Sequence, residues 1–248
     1  NNCYICTYAS DIIIAMNENE ILRANQLYKT YGSGESAVTA LSGVSLAIND
    51  GELLVILGSS GSGKSTLLNM LGGMDRPDEG TVYYKNEDIF IDGDKSMTAY
   101  RRNHIGFVFQ SFNLIAELTA LENVRLTAIS QEAAERALIQ VGLENRMNAY
   151  PGKFSGGQQQ RISIARALAK DTSILLCDEP TGALDYETGK QILELLEKLC
   201  RKEHKTIVIV THTQEIGKMA DRVIRMRNGK IIQTIINTEP MSAKDIEW

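Results

Sequence analysis

One stretch constrains the fold of this chain more than any other: "LLVILGSSGSGKS", residues 53 to 65, where five consecutive apolar residues run into a glycine- and serine-rich loop. Five apolar residues without alternation suit a strand buried on both faces, and such strands belong in a parallel sheet covered on each side. The loop fits G-x-x-x-x-G-K-[ST] and opens onto a helical pattern over residues 65 to 71, so strand, loop and helix follow in the order a phosphate-binding loop requires. Glycines let the backbone fold tightly round an anion, and the amides from Gly61 to Ser65 lie beside a helix N-terminus. The pattern predicts that Gly58, Ser59, Ser60, Gly61, Ser62, Gly63, Lys64, Ser65 and Thr66 surround the phosphates of a nucleotide. Lys64 supplies a mobile positive charge for the β- and γ-phosphates, and Ser65 a hydroxyl for Mg²⁺.

Two further continuous apolar runs, "SILLCD" (173 to 178) and "KTIVIVTH" (205 to 212), read as neighbouring parallel strands that end in polar residues. In open parallel sheets ligands collect at those carboxyl ends. The first run delivers Asp178 and Glu179 to the same edge as the glycine loop: Asp178 as a partner for Mg²⁺, Glu179 as a group that can polarise water. An acidic loop closing a strand is the plainer alternative, and the glycine loop leaves kinases, GTPases and motor-type ATPases open. Ahead of the buried strand, segments at 21 to 31, 37 to 41 and 44 to 48 suggest a small antiparallel layer. Helical patterns span 65 to 71, 131 to 141, 158 to 170 and 189 to 201, with Ile192, Leu195, Leu196 and Leu199 striping one face of the last.

With 248 residues, 43% of them hydrophobic and 23% charged, the chain has enough apolar material for a sizeable core. Its longest apolar runs fall far short of the roughly 18 residues of a membrane span. A net charge of −5 argues against a broad footprint on nucleic acid. Four cysteines at irregular spacing make no disulfide framework, and the Cys3/Cys6 pair has no second pair or histidine motif to complete a zinc tetrahedron. Residues 1 to 20 read as a poorly ordered extension or a cloning-derived leader, without the features of a secretory signal.

"FSGGQQQR", residues 154 to 161, is a second glycine turn at a helix start in a chain that already has one. Together with "GSSGSGKS", "CDEPTGALD" and a lone His212 after a strand, in this order and spacing, it resembles the ATP-binding cassette (ABC) ATPases from residue 21 to the C-terminus. The resemblance implies an α/β P-loop NTPase fold: a RecA-like parallel core, an antiparallel β layer and an inserted helical subdomain at about 111 to 168. It implies a homodimer in the ATP-bound state, in which Ser155, Gly156 and Gly157 contact the γ-phosphate held by the partner's loop, with Gln158 also among the nucleotide-binding residues. Gln110, in "IGFVFQSFN", corresponds to a group sensing Mg²⁺ and the attacking water, and His212 to a contact of the γ-phosphate. Asp185 corresponds to a group communicating across the dimer, and Tyr31 to an aromatic that stacks on adenine. Catalysis falls to Glu179, His212 and Lys64, and metal binding to Ser65, Gln110 and Asp178.

"GGMDRPDEG" and the residues round Gln110 are similar to the macrolide-exporter, lipoprotein-releasing and cell-division branch. Phe154, Cys177 and Ala183 depart from that pattern without removing a catalytic group. The implied protein is an ATP-hydrolysing subunit at the cytoplasmic face of the cell membrane that drives a separate transmembrane permease. Export of antimicrobial compounds or peptides, or release of lipoproteins, is the implied work, with regulation of cell-wall hydrolases as the alternative. A DNA-repair ATPase of the same class requires a long coiled coil, and only 44 residues without heptads separate Gln110 from Ser155. Relatives receive a short helix of the permease near Phe107, Phe109, Phe112, Leu114 and Ile115, so part of this apolar set is expected at the surface.

Overall fold

The computed structural model describes residues 19–248, so the Cys3/Cys6 pair and nearly all of the expected extension lie outside the described residues. The chain opens with two long antiparallel strands, β1 (Glu20–Tyr31) and β2 (Val38–Asn49). The sequence pattern divides β2 into two segments at Ser42-Gly43, but the structure has one strand with a bulge. Pairing slips between Leu27 opposite Val44 and Tyr28 opposite Ser42, leaving Gly43 over at φ +70, a conformation that glycine adopts freely. After β3 (Leu53–Leu57) and α1 (Lys64–Leu71), strands β4 (Glu79–Tyr84) and β5 (Glu87–Asp88) complete a four-stranded antiparallel sheet in the order β2-β1-β4-β5.

Next come α2 (Asp94–His104), β6 (Ile105–Phe109), the helices α3 (Ala120–Arg125), α4 (Gln131–Gln140) and α5 (Gly156–Leu168), and then β7 (Ile174–Asp178). The chain finishes with α6 (Tyr186–Glu203), β8 (Thr206–Thr211), β9 (Arg222–Arg227) and β10 (Lys230–Ile236), followed by a tail along α6. The second sheet runs β10-β9-β3-β8-β7-β6, parallel throughout except for the antiparallel edge strand β10.

The unbroken apolar runs of β3 and β8 are explained by what lies on each face. Leu54, Ile56, Val208 and Val210 point into one cluster with α1 and the antiparallel sheet. Leu53, Val55, Ile207 and Ile209 point into another with α5 and α6. Alternation remains, but both phases are apolar because both faces are dry. Each fully buried side chain of this size contributes roughly 1.5–3 kcal/mol, so two-sided burial outweighs the ladder's hydrogen bonds at about 1 kcal/mol each. Helix α1 is enclosed between the sheets, with Leu67, Leu68, Met70 and Leu71 all buried. This fixes the start of α1 against the ends of β7 and β8, where the polar residues collect.

Candidate active site

The loop between β3 and α1 is shaped by contacts as much as by its own flexibility. Gly63 caps α1 at φ +99, and a β-carbon there would lie 2.3 Å from the Ala40 carbonyl of β2, so both conformation and space require glycine. Gly58 is held just as closely, since its β-carbon would come 2.4 Å from Ser62 Oγ. Lys64 starts the helix with its side chain folded back over the loop, where Nζ donates to the carbonyls of Gly58 at 2.7 Å and Ser59 at 3.0 Å. A largely buried lysine whose ammonium is held against the glycine loop at the start of α1 makes a local site for anionic oxygen.

Opposite the loop, β7 ends in Asp178 and the chain turns sharply at Glu179, which holds φ +46. Ser65 Oγ donates to Asp178 Oδ1 at 3.1 Å. Burial raises the Asp178 carboxyl above the ordinary carboxylate range and the Glu179 charge adds to this, while the Ser65 hydroxyl and Lys64 offset part of it. Both oxygens of Glu179 are engaged: Thr211 Oγ1 donates to Oε2 at 3.0 Å, and His212 Nδ1 lies 2.9 Å from Oε1. β8 supplies both partners from its end, alongside β7, so the acid is oriented by the neighbouring strand. Thr211 was not singled out from the sequence, although a polar residue ending an apolar strand just before His212 is the signal that marks it.

Ser59, Ser60, Gly61, Ser62, Gly63, Lys64, Ser65, Thr66, Gln110, Asp178, Glu179 and His212 line one cleft of about 880 Å³, together with Phe109 and Ser111. Gln110 follows the end of β6, where Phe109 pairs with Asp178, and its amide packs on Gly182. Tyr31 sits at the end of β1 near the loop rather than in the cleft lining. Its hydroxyl donates to Asp75 Oδ2 at 2.8 Å and meets the Thr66 side chain, and its ring is 43% exposed.

Ser155, Gly156, Gly157, Gln158 and Asp185 also lie outside that lining and form a second cluster where α5 and α6 begin. Ser155 and Gln158 make a reciprocal capping box, with the Gln158 carbonyl oxygen also bound by Arg146 Nη1 at 2.9 Å. Asp185 caps α6 by accepting from the Thr188 amide at 3.0 Å and hydroxyl at 2.7 Å, and these bonds lower its carboxyl below the usual range. The two helix starts meet at Gly157, whose β-carbon would fall 1.9 Å from Thr188 Cγ2. Two helix N-termini side by side, with Ser155 and Asp185 exposed, make an anion-compatible surface separate from the cleft.

Ser65 and Asp178 offer hard oxygen donors at hydrogen-bond separation, a pair that fits Mg²⁺, which takes one or two protein oxygens and fills the rest of its octahedron with phosphate and water. Among the described residues no cluster of three or more His, Cys, Asp or Glu side chains is arranged to hold a metal by itself. Of the five apolar side chains near Gln110, none is fully buried, and Ile115 is 44% exposed.

The family model described as "ABC transporter" matches residues 41–182. The lipoprotein-releasing system ATP-binding protein of Geobacter metallireducens is 41% identical over 222 residues, covering 86% of this chain and 99% of that protein. The macrolide export ATP-binding/permease protein of Bartonella quintana is 42% identical over 222 residues, covering 86% of this chain but 34% of that protein. The chain thus spans about a third of the length of that macrolide-export relative. Among solved structures, a dimeric ATP-binding cassette of Methanocaldococcus jannaschii described as a post-hydrolysis state bound to ADP and Pi superposes with a TM-score of 0.80. It is 43% identical, with 87% of this chain and 98% of that one covered. No described helix is long and apolar enough to cross a membrane.

Proposed function

The chain belongs to the ABC transporter family, and on that premise we propose that its cleft binds ATP and hydrolyses it to ADP and phosphate. The observation that carries this reading is the placement of Glu179 at the end of β7, both oxygens oriented by Thr211 and His212, across the cleft from the Lys64 loop. Lys64 and the amides of residues 61 to 65 hold the phosphate oxygens, and Tyr31 offers its exposed ring to the adenine. Ser65 and Asp178, with Gln110 nearby, hold Mg²⁺, which neutralises phosphate charge when bound. The Glu179 carboxylate accepts a proton from water as the water oxygen bonds to the γ-phosphorus and the bond to the ADP oxygen breaks. His212 keeps Glu179 aimed and stands at the cleft wall, within the reach of the γ-phosphate.

The exposed Ser155 turn and Asp185 fall outside their own chain's cleft, which supports a homodimer in which each chain closes the other's site over ATP. The helical lobe, residues 111 to 168, carries that turn. The partly exposed apolar set from Phe107 to Ile115 receives a transmembrane permease subunit, and the chain works at the cytoplasmic face of a membrane. The names of its relatives support macrolide-type export or lipoprotein release as the work done. Phosphate release from Mg-ATP by the purified chain, compared with Lys64→Ala, tests the reading. Equal rates in the two would overturn the assignment of the cleft.

A further inference from the structure

Arg166 lies in the last turn of α5, has no ion pair with a carboxylate among the described residues, and its guanidinium does something specific instead. Nη1 donates to the Asn113 carbonyl at 2.5 Å and Nη2 to the Phe112 carbonyl at 3.0 Å. Phe112 and Asn113 are consecutive left-handed residues, with φ +58 and +52. Neighbouring residues in one helical hand point their carbonyls the same way, and two such oxygens suit the planar fork of a guanidinium as no point charge can. An aromatic residue rarely holds this conformation; inside the turn Ser111 Oγ donates to Asn113 Oδ1 at 2.9 Å, and from outside it the Arg166 fork braces both carbonyls. Burial without an anionic partner lowers Arg166 from the usual guanidinium range, which makes the two carbonyls its principal compensation.

Two residues before this clamp stands Gln110, and the residue before Gln110 is Phe109, fixed in register with Asp178. The Phe112 ring also reaches the Ser155 turn, lying 3.6 Å from where a Gly156 β-carbon would be, beside Leu184. Gln110 is therefore strung between two anchors: the sheet on one side, and α5 through Arg166 on the other.

We infer that Arg166 is a positioning residue that ties Gln110 to the helix beginning at Ser155, so that the placement of α5 against the sheet sets where the Gln110 amide stands in the cleft. Arg166 is not among the residues that line the cleft; it acts through the backbone of residues 112 and 113. This inference rests on the proposed role of Gln110 in ATP hydrolysis.

The test is a double-mutant cycle with a readout independent of turnover. Arg166→Lys keeps the positive charge but loses the fork, and should lower kcat for Mg-ATP about 10-fold, on the scale that sub-ångström misplacement of a reacting group produces, while ATP affinity changes less than about 2-fold. In a Gln110→Ala background the same substitution should cost nothing further, because the group it positions is gone. Amides of residues 111 to 114 should exchange with deuterium faster in Arg166→Lys, while those in the middle of α5 keep their parent rates. Should Arg166→Lys not fold, Asn113→Val at the exposed loop opposes the left-handed conformation from the other side of the clamp and should reproduce the pattern. Equal fold-losses in both backgrounds, unchanged kcat, ATP affinity falling in step with kcat, or unchanged exchange at 111 to 114 would each overturn the inference. A parent chain that releases no phosphate from Mg-ATP would instead overturn the reading of the cleft, leaving the exchange result to decide whether the clamp exists.

Discussion

Ser65 Oγ and Asp178 Oδ1 stand 3.1 Å apart, joining the first turn of α1 to the last residue of β7 across 113 positions of sequence. The bond holds a carboxylate in place that its surroundings disfavour. Burial, then the neighbouring Glu179 charge, raises Asp178 above its unfolded range. A folded chain that binds this proton more readily than the unfolded chain is destabilised by the ionised carboxyl above the folded value. The penalty fades as pH falls through that value toward the ordinary carboxylate range. Asp178→Asn should therefore raise the urea midpoint of the nucleotide-free chain at pH 7, and the gain should shrink as the pH is lowered into the carboxylate range. The same substitution should remove Mg²⁺-dependent turnover. Denaturation curves at several pH values check the first outcome and phosphate release the second.

Glu179→Gln keeps the shape of the acid and loses its basicity. Turnover should fall by about 10² or more, the scale of losing a general base, while ATP affinity stays near the parent value. Because nucleotide then persists, light scattering under saturating Mg-ATP should show dimers of this variant and largely monomers without nucleotide. Parent-rate hydrolysis, or a monomer under saturating ATP, would count against both the base and the composite site.

At the meeting of α5 and α6, Gly157→Ala places a methyl group 1.9 Å from Thr188 Cγ2. Overpacking of this kind costs about 1–3 kcal/mol, readable as a lower denaturation midpoint. Adding Thr188→Ser removes the obstructing methyl and keeps the hydroxyl that binds Asp185 at 2.7 Å. The double variant should recover most of the loss, whereas a purely conformational need for glycine would leave it unrescued.

Glu52, 7% exposed at the start of β3, is bound through both oxygens by Arg222 of β9 at 2.7 and 2.8 Å. Arg222→Leu strands that carboxylate and should destabilise the chain by about 3 kcal/mol, as breaking one side of a buried pair does. Replacing both partners, Glu52→Gln with Arg222→Leu, should cost less than the single change, and chemical denaturation distinguishes the two.

What could be read from the sequence follows the burial of each element. β3, β7 and β8 are dry on both faces and stand out as uninterrupted apolar runs, and the helices ending near residues 140, 168 and 203 carry clear stripes. β6 escapes notice because Gly106 breaks its run, although a β-carbon there would come within 2.7 Å of Leu175 and 2.9 Å of Ala167. The β9–β10 pair and the charged helix α2 face solvent on at least one side and leave no run to see. In the cleft, the loop residues are contiguous and so are legible together. The placement of Thr211 against Glu179, and of Arg166 against the turn after Gln110, arises from strand register and helix packing that no local pattern records.

The left-handed backbone at Glu179 has a bearing on how this chain would respond to selection. Glycine or asparagine adopts φ +46 more readily than glutamate, whose cost there is on the order of 1 kcal/mol. A library diversified at residue 179 and sorted for heat resistance alone should therefore enrich the two residues that cannot act as an acid or base. The glutamate would be retained only under a screen that also rewards phosphate release, so the identity of residue 179 would report which of the two pressures a population had experienced.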